Sequence, residues 1–409
     1  VTYRSGVAVV FLVVFLGVAV CARSANATDV AGGTYDTDTW TAAGSPYLLQ
    51  GNVDYTSLTI EAGTTVLVAA NNPDSSSRIT LSVTTLVVNG TPGSPVVFQP
   101  ETATTSASAW QGIWVHGSAA VTGATLRNAS DGIMLWADRS PVAPTTISRS
   151  TFDTDSYVVM IHGRSDLNVD AITVTKVGHG IVNQNSGQVV VTNSVFSSKG
   201  STAVYTEGGT TSVVNCTIDQ ALSGIEIYPR LANASVDVRN TIVTNGQAGV
   251  VLDPFATPAE ATVTVTSSDF WGNVHDFENV TAGTGNLSLD PKYVSATDLR
   301  LQPASPCVDS GSATGAPDHD HDFVARPKGP KFDMGAYELD PAGGSGGGGG
   351  SGSAGAGGGG AGGGGAGGGG AGGSGAGGGG AGGGGAGVSG GGAGASGGGA
   401  GASGGGAGA

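Results

Sequence analysis

Charge is scarce in this sequence. Only 11% of its 409 residues are Asp, Glu, Lys or Arg, against roughly a quarter in ordinary soluble domains. Basic residues are the scarcer sign: residues 28–341 hold 14 Lys and Arg against 31 Asp and Glu, a net of −17. A surface of that sign repels phosphate, which excludes DNA or RNA as a partner. Cysteine is nearly absent, with 3 residues, so no disulfide framework can define the fold. An oxidising compartment would allow Cys216 and Cys307 to pair, but they read better as isolated small buried residues. Helical periodicity is missing as well, and short β-branched runs take its place.

The chain is rich in glycine, unevenly placed. Of 75 glycines, 45 fall in residues 342–409, a stretch of Gly, Ala and Ser with one Val and no charge. Such a composition cannot bury enough apolar surface to offset its ordering entropy. It reads as a disordered spacer spanning about 45 Å root-mean-square as a random coil. The one long apolar run, Gly6 to Ala22, follows Arg4 and precedes Ala25-Asn26-Ala27. A basic start, an apolar middle and a small-residue cleavage site describe a secretory signal peptide over residues 1–27. A membrane anchor is the competing reading of that run, and the cleavage site favours removal, leaving no membrane span. Cys21 would suit a lipoprotein, but Val20 before it is bulkier than such sites use.

A repeat organises the body. Leu126, Phe152, Val174, Phe196, Ile218, Val243 and Phe270 recur at intervals of 22 to 27 residues. A second apolar residue follows most of them by seven: Ile133, Val159, Ile181, Ile225, Val250 and Phe277, with Val204 at eight. Gly132, Gly180, Gly224 and Gly249 precede this second position, and a third short strand closes each unit, as in Val189–Val191 and Val263–Val265. Three short strands in about 22 residues make one coil of a parallel β-helix. Asn193, Asn215 and Asn240 share one turn and read as a structural ladder, since Asn tolerates the left-handed backbone such a turn needs. The fold class is therefore all-β, a solenoid over residues 28–285.

The phrases Leu58-Thr-Ile60-Glu-Ala-Gly63, Val88-Asn-Gly90-Thr91 and Trp110-Gln-Gly112-Ile113 resemble secreted bacterial right-handed β-helix proteins of the pectate-lyase-like superfamily. The resemblance covers about residues 53–285 and concerns the fold more than any activity. Residues 286–341 resemble the choice-of-anchor Q module that follows β-helices in bacterial surface proteins. The matching residues are Asp290-Pro291, Asp298-Leu-Arg-Leu301, Ser305-Pro306, Asp309, Gly311, Arg326-Pro327 and Asp333-Met-Gly335-Ala-Tyr-Glu338. Phe323 departs from the pattern, which has Gly after Asp320-x-Asp322. The resemblance implies a secreted or surface-displayed protein, with surface-anchoring machinery as a partner. Asn-x-Ser/Thr triplets such as Asn128-Ala-Ser130 carry little meaning in a bacterial source.

Alternate residues around the second apolar position point outward and stack coil on coil. The first outward column reads Trp114, Met134, Met160, Val182, Tyr205, Glu226, Val251; the second reads His116, Trp136, His162, Gln184, Glu207, Tyr228, Asp253. In sugar-active relatives this ladder forms the binding groove. The role expected is binding or structural: for binding, the set is His116, Trp136, His162, Gln184, Tyr205, Glu207, Glu226, Tyr228 and Asp253 with a polysaccharide as ligand, against the plainer reading of a solvated strand face. Trp136, Tyr205 and Tyr228 would stack on sugar rings and the polar groups would bind hydroxyls. Glu207 and Asp253 lie two coils apart, hence ~10 Å by strand spacing, near the upper end of the ~6.5–9.5 Å used by inverting glycosidases. The alternative reading is therefore a polysaccharide hydrolase using Glu207 and Asp253, with His162.

Other motifs carry less. Gly178-His179-Gly180 matches a polygalacturonase motif, but that family's remaining signatures are absent, and His179 shares its turn slot with Asp131, Ser223 and Ala248. A lyase would need a base and a cation beside the uronate, yet neither column contains Arg or Lys. Asp318, Asp320 and Asp322 alternate as calcium-loop ligands do, without the Gly and distant Glu of such a loop. His319 and His321 would suit zinc or nickel less well, so no cofactor is expected unless these three carboxylates hold calcium, and the favoured reading is a solvated acidic turn.

Overall fold

In a computed structural model the described residues are 27–340, without 73–76, 104–107, 140–141, 164, 177, 185–186, 198, 231–232 and 258. The expected leader, apart from Ala27, and the Gly-rich spacer lie outside them. Short runs of Val, Ile and Thr, interrupted by Gly, Asn and Ser, form strands that pair in parallel with the repeat before and the repeat after. Three parallel sheets result, wound as a β-solenoid. In the downstream half the first sheet contains Thr173–Lys176, Val195–Ser197, Thr217–Asp219, Ile242–Thr244 and Asp269–Trp271. The second contains His179–Asn183, Thr202–Thr206, Ser223–Ile227, Ala248–Leu252 and His275–Glu278. Leu167–Asp170, Gln188–Thr192, Gly209–Val214, Ala234–Arg239 and Ala261–Thr266 form the third. Upstream, longer strands such as Thr80–Asn89 bend to serve two sheets.

Both apolar series fall in register. Leu126, Phe152, Val174, Phe196, Ile218, Val243 and Phe270 pair in succession along the first sheet. Ile133, Val159, Ile181, Val204, Ile225, Val250 and Phe277 do so along the second. Apart from half-buried Phe277 they are buried in one core. The glycines before the second series have a steric cause. A Cβ on Gly180 would lie 2.1 Å from the carbonyl oxygen of Ala203 in the next coil.

The turn between the third and first sheets repeats one left-handed residue per coil: Gly123, Arg149, Ala171, Asn193, Asn215, Asn240 and Ser267, at φ between +49° and +63°. Asn fills three of these slots because its short polar side chain bonds locally in that conformation. The Asn240 amide donates to Asn215 Oδ1 at 3.1 Å, and Asn193 donates to Asp170 Oδ1 at 2.9 Å. In five of the seven coils the slot after the turn residue holds a second ladder, Ala124 and Ile172 being the exceptions. Ser150, Ser194, Thr241 and Ser268 each accept a backbone N–H from the preceding coil and donate to the carbonyl two residues before them. Cys216 occupies the same slot, donating from Sγ to the carbonyl of Val214. Its thiol is free, as is that of Cys307, and burial pushes it up to about 12.

Residues 287–340 form no helix or strand among the described residues and spread over the outside of the first sheet. Leu299 and Ala336 pack on Val195, while Leu301, Cys307 and Met334 pack on Ile242. Thr217 Oγ1 accepts the N–H of Ala336 at 2.9 Å, and Asn215 Nδ2 donates to the carbonyl of Asp333 at 2.9 Å. That last bond uses the donor that would have continued the ladder to Asn193, whose Oδ1 has no partner among the described residues. Phe323 stands at φ +63° with His319 stacked on it at 4.3 Å and the Arg149 guanidinium over its ring at 3.4 Å. The ring therefore ties the segment to a turn of the solenoid.

The segment is organised around an ion pair with no solvent contact. Arg326 NH1 lies 2.7 Å from Glu338 Oε2, both side chains being 0% exposed. Arg326 also donates to the carbonyl of Gly335, and Glu338 accepts the N–H groups of Lys328 and Asp333. Removing one member of such a pair strands the other. Arg326→Ala should cost about 3–5 kcal/mol in urea unfolding, and a loss within ~0.5 kcal/mol, typical of a surface change, would contradict this account. Asp333 supplies a pH signature. Burial pushes it up to about 6, although the N–H groups of Asp309 and Leu339 donate to its oxygens. Between pH ~4 and ~6 the unfolded chain ionises Asp333 while the folded chain keeps its proton, so stability falls as pH rises. Across this window the wild type should lose about 2–3 kcal/mol relative to Asp333→Asn; parallel stability profiles would contradict the assignment.

Candidate functional site

Both outward columns of the second sheet exist in the expected register. Trp114, Met134, Met160, Val182, Tyr205, Glu226 and Val251 are successive partners. Backbone bonds carry the second column, with the N–H of Trp136, His162, Gln184, Glu207, Tyr228 and Asp253 each donating to a strand end of the preceding coil. Coil stacking thus aligns His116 through Asp253 in one row.

The first column is not an open floor. Met134, Met160 and Val182 point away from the solenoid core, yet are only 6%, 4% and 1% exposed. They form a second apolar cluster, covered by the rings of Trp114, Trp136, Tyr157 and Tyr205. The aromatic residues stack on one another along the solenoid axis. Trp136 lies on His162 with centroids 4.4 Å apart and meets Trp114 edge-on at 5.7 Å. Along the opposite lip, Tyr157 stacks on His179 at 5.6 Å and His179 meets Tyr205 at 5.7 Å. The Arg230 guanidinium sits over the Tyr228 ring at 4.0 Å. His162 thus takes one face of Trp136 and Arg230 one face of Tyr228, so these rings, expected to stack on sugars, are partly engaged within the protein.

The polar members divide into two groups. His116 is buried, with Nδ1 2.7 Å from Asp138 Oδ1. His162, Gln184, Glu207, Tyr228 and Asp253 are half-buried with access to solvent. Burial beside Trp136 pulls His162 below the usual imidazole range, against the opposing pull of Asp131 and Glu207. The Tyr205 hydroxyl donates to Glu207 Oε1 at 3.2 Å, and burial with the Glu207 and Glu226 charges raises its phenol. Glu226 accepts from Thr202 Oγ1 at 3.0 Å. Asp253 Oδ1 accepts the N–H of Phe255 at 3.0 Å, closing its own turn. Tyr228 stands in the coil between Glu207 and Asp253, so the two carboxylates expected to act as a pair face separate partners across it.

Asp131 and the Tyr157–His179 lip belong to this face, although the sequence placed Asp131 and His179 only in a turn slot. Asp131 is buried and accepts from Gln111 Nε2 at 2.6 Å; burial raises its carboxyl. The available signal was the pairing of Asp131, Tyr157 and His179 in adjacent coils. The three carboxylates expected to hold calcium go separate ways. Asp318 meets His319 Nδ1 at 2.7 Å, and Asp322 pairs with Arg300. Asp320 accepts the N–H groups of Asp322, Val324 and Glu338. Among the described residues no group of three or more His, Cys, Asp or Glu is gathered as a metal site.

Residues 33–134 match the family described as a pectate-lyase like beta helix domain, and residues 131–290 match the right handed beta helix region. The solenoid is accordingly a right-handed parallel β-helix of the pectate-lyase-like kind. No curated protein matches the chain. The covered methionine column gives a direct test of the site's architecture. Met160→Ala should cost about 2–5 kcal/mol, as core truncations do, whereas a solvated outward residue would change urea stability by less than ~0.5 kcal/mol.

Proposed function

We propose that this is an exported β-helix protein, displayed at the cell surface or secreted, whose second-sheet row binds an uncharged polysaccharide. One observation carries the reading. The polar groups of His162, Gln184, Glu207, Tyr228 and Asp253 repeat once per coil, at a spacing of ~4.8 Å close to the length of one sugar unit. A linear glycan lying along the axis would offer its hydroxyls to these groups in succession. The carboxylates would repel polyuronates, which sets the ligand apart from pectate. Export rests on the leader-like residues 1–27, and display on the resemblance of residues 286–341 to an anchor-associated module followed by a spacer. Binding is preferred to hydrolysis because Glu207 and Asp253 are engaged by Tyr205 and Phe255 rather than facing one bond.

Retention on immobilised β-1,4-glucan, β-1,3-glucan and β-1,4-mannan tests this reading. The wild type should bind at least one polymer, and combining Gln184→Ala with Tyr228→Ala should weaken it about tenfold or more. No retention on any of the three, or retention untouched by the substitutions, would overturn it. New reducing ends that vanish in Glu207→Gln and Asp253→Asn would instead establish the hydrolase.

A further inference from the structure

The downstream members of the row, from His162 to Asp253, are partly exposed, whereas His116 upstream is buried by its own chain. After the strand ending at Leu135, residues Trp136–Arg139 run back along the preceding coil before the chain reaches the third-sheet strand Thr145–Ser148. Ala137 makes the turn at φ +50°. The N–H of Arg139 donates to the carbonyl of His116 one coil upstream. Asp138 Oδ1 holds His116 Nδ1 at 2.7 Å, and His116 is left 9% exposed. The Arg139 guanidinium then reaches Asp54 Oδ1 at 2.8 Å. Asp54 belongs to the first outward column, three coils above Met134 through Ser82 and Trp114. The strap thus lies over the upstream continuation of the row.

We propose that Trp136–Arg139 is an end wall, so that the row takes a polysaccharide by a chain end rather than along its middle. This rests on the binding reading above and adds the part of the polymer that is recognised. For a glycan aligned with the axis, the unit beyond His162 would meet the stacked Trp136 ring and, behind it, the Arg139–Asp54 pair. The terminal sugar would therefore sit beside His162 and Gln184. Ionic strength should matter little to an uncharged ligand, leaving chain length and end chemistry as the discriminating variables.

Size-fractionated oligosaccharides of β-1,4-glucan, β-1,3-glucan and β-1,4-mannan provide the test, by calorimetry with the full chain. End recognition predicts one protein per glycan chain whatever its length. It also predicts that a bulky group on one particular chain end weakens binding about tenfold or more, while the same group on the other end leaves it unchanged. Arg139→Ala, which frees the strap without touching the downstream row, should reduce that sensitivity and let stoichiometry rise with length. Binding whose stoichiometry grows with length in the wild type, or which ignores modification of both ends, would overturn the end wall while leaving polysaccharide binding intact. Failure of all three series to bind would overturn both.

Discussion

A coil of this solenoid cannot satisfy its own backbone. Its strands are three to six residues long through the downstream half, and their N–H and C=O groups find partners only in the coils above and below. Parallel pairing at a fixed spacing aligns every position of the repeat into a column running the length of the molecule. A side chain suited to one coil is then suited to the column, and the columns become the units of structure. The apolar series, the left-handed turn residues and the hydroxyl ladder are three consequences of that single constraint. Cys216 illustrates its force: the slot asks for a small donor beside a turn, and a thiol serves where neighbouring coils use Ser or Thr.

The same constraint explains how residues 287–340 are held without regular structure of their own. Turn and first-sheet columns offer an outer surface of fixed spacing, on which Thr217, Asn215, Asn240 and Asp269 each bond the segment. Docking has a local cost, visible in the amide that Asn215 withdraws from the Asn ladder and the unpaired Asn193 oxygen it leaves. The buried Arg326–Glu338 pair organises the segment internally, and its worth lies in specifying one arrangement more than in net stabilisation. Phe323 joins the two parts through aromatic and cation–π contacts.

Legibility from sequence followed the columns. Apolar anchors spaced by one repeat gave the register, including the extra residue before Val204, because burial in a solenoid admits few alternatives. The outward row was legible for the same reason, since the period-2 alternation of a strand carries it once the inward residues are known. What escaped was whatever depends on side chains meeting across columns. Met134 and Met160 are outward by alternation, yet are covered because Trp114, Trp136 and Tyr157 fold over them. Nothing in the spacing of Asp318, Asp320 and Asp322 reveals that Arg300 and His319 claim two of them. The strap at Trp136–Arg139 was equally invisible, because its partner Asp54 lies 85 residues away in sequence.

Aromatic rings illustrate the limit of reading a site from composition. Trp136 in an outward row suggests a platform for a sugar, but a ring repeated near other rings at coil spacing stacks on its neighbours first. What is left for a ligand is a line of polar groups at regular intervals, bounded upstream by the strap. The central claim is that this line, and not some other face, holds a glycan along the solenoid axis. A crystal structure of the protein with cellohexaose or laminarihexaose tests it most directly. The account predicts sugar density over Gln184, Glu207 and Tyr228, about one ring per coil. Density confined to another sheet, or crossing the row at right angles, would contradict it.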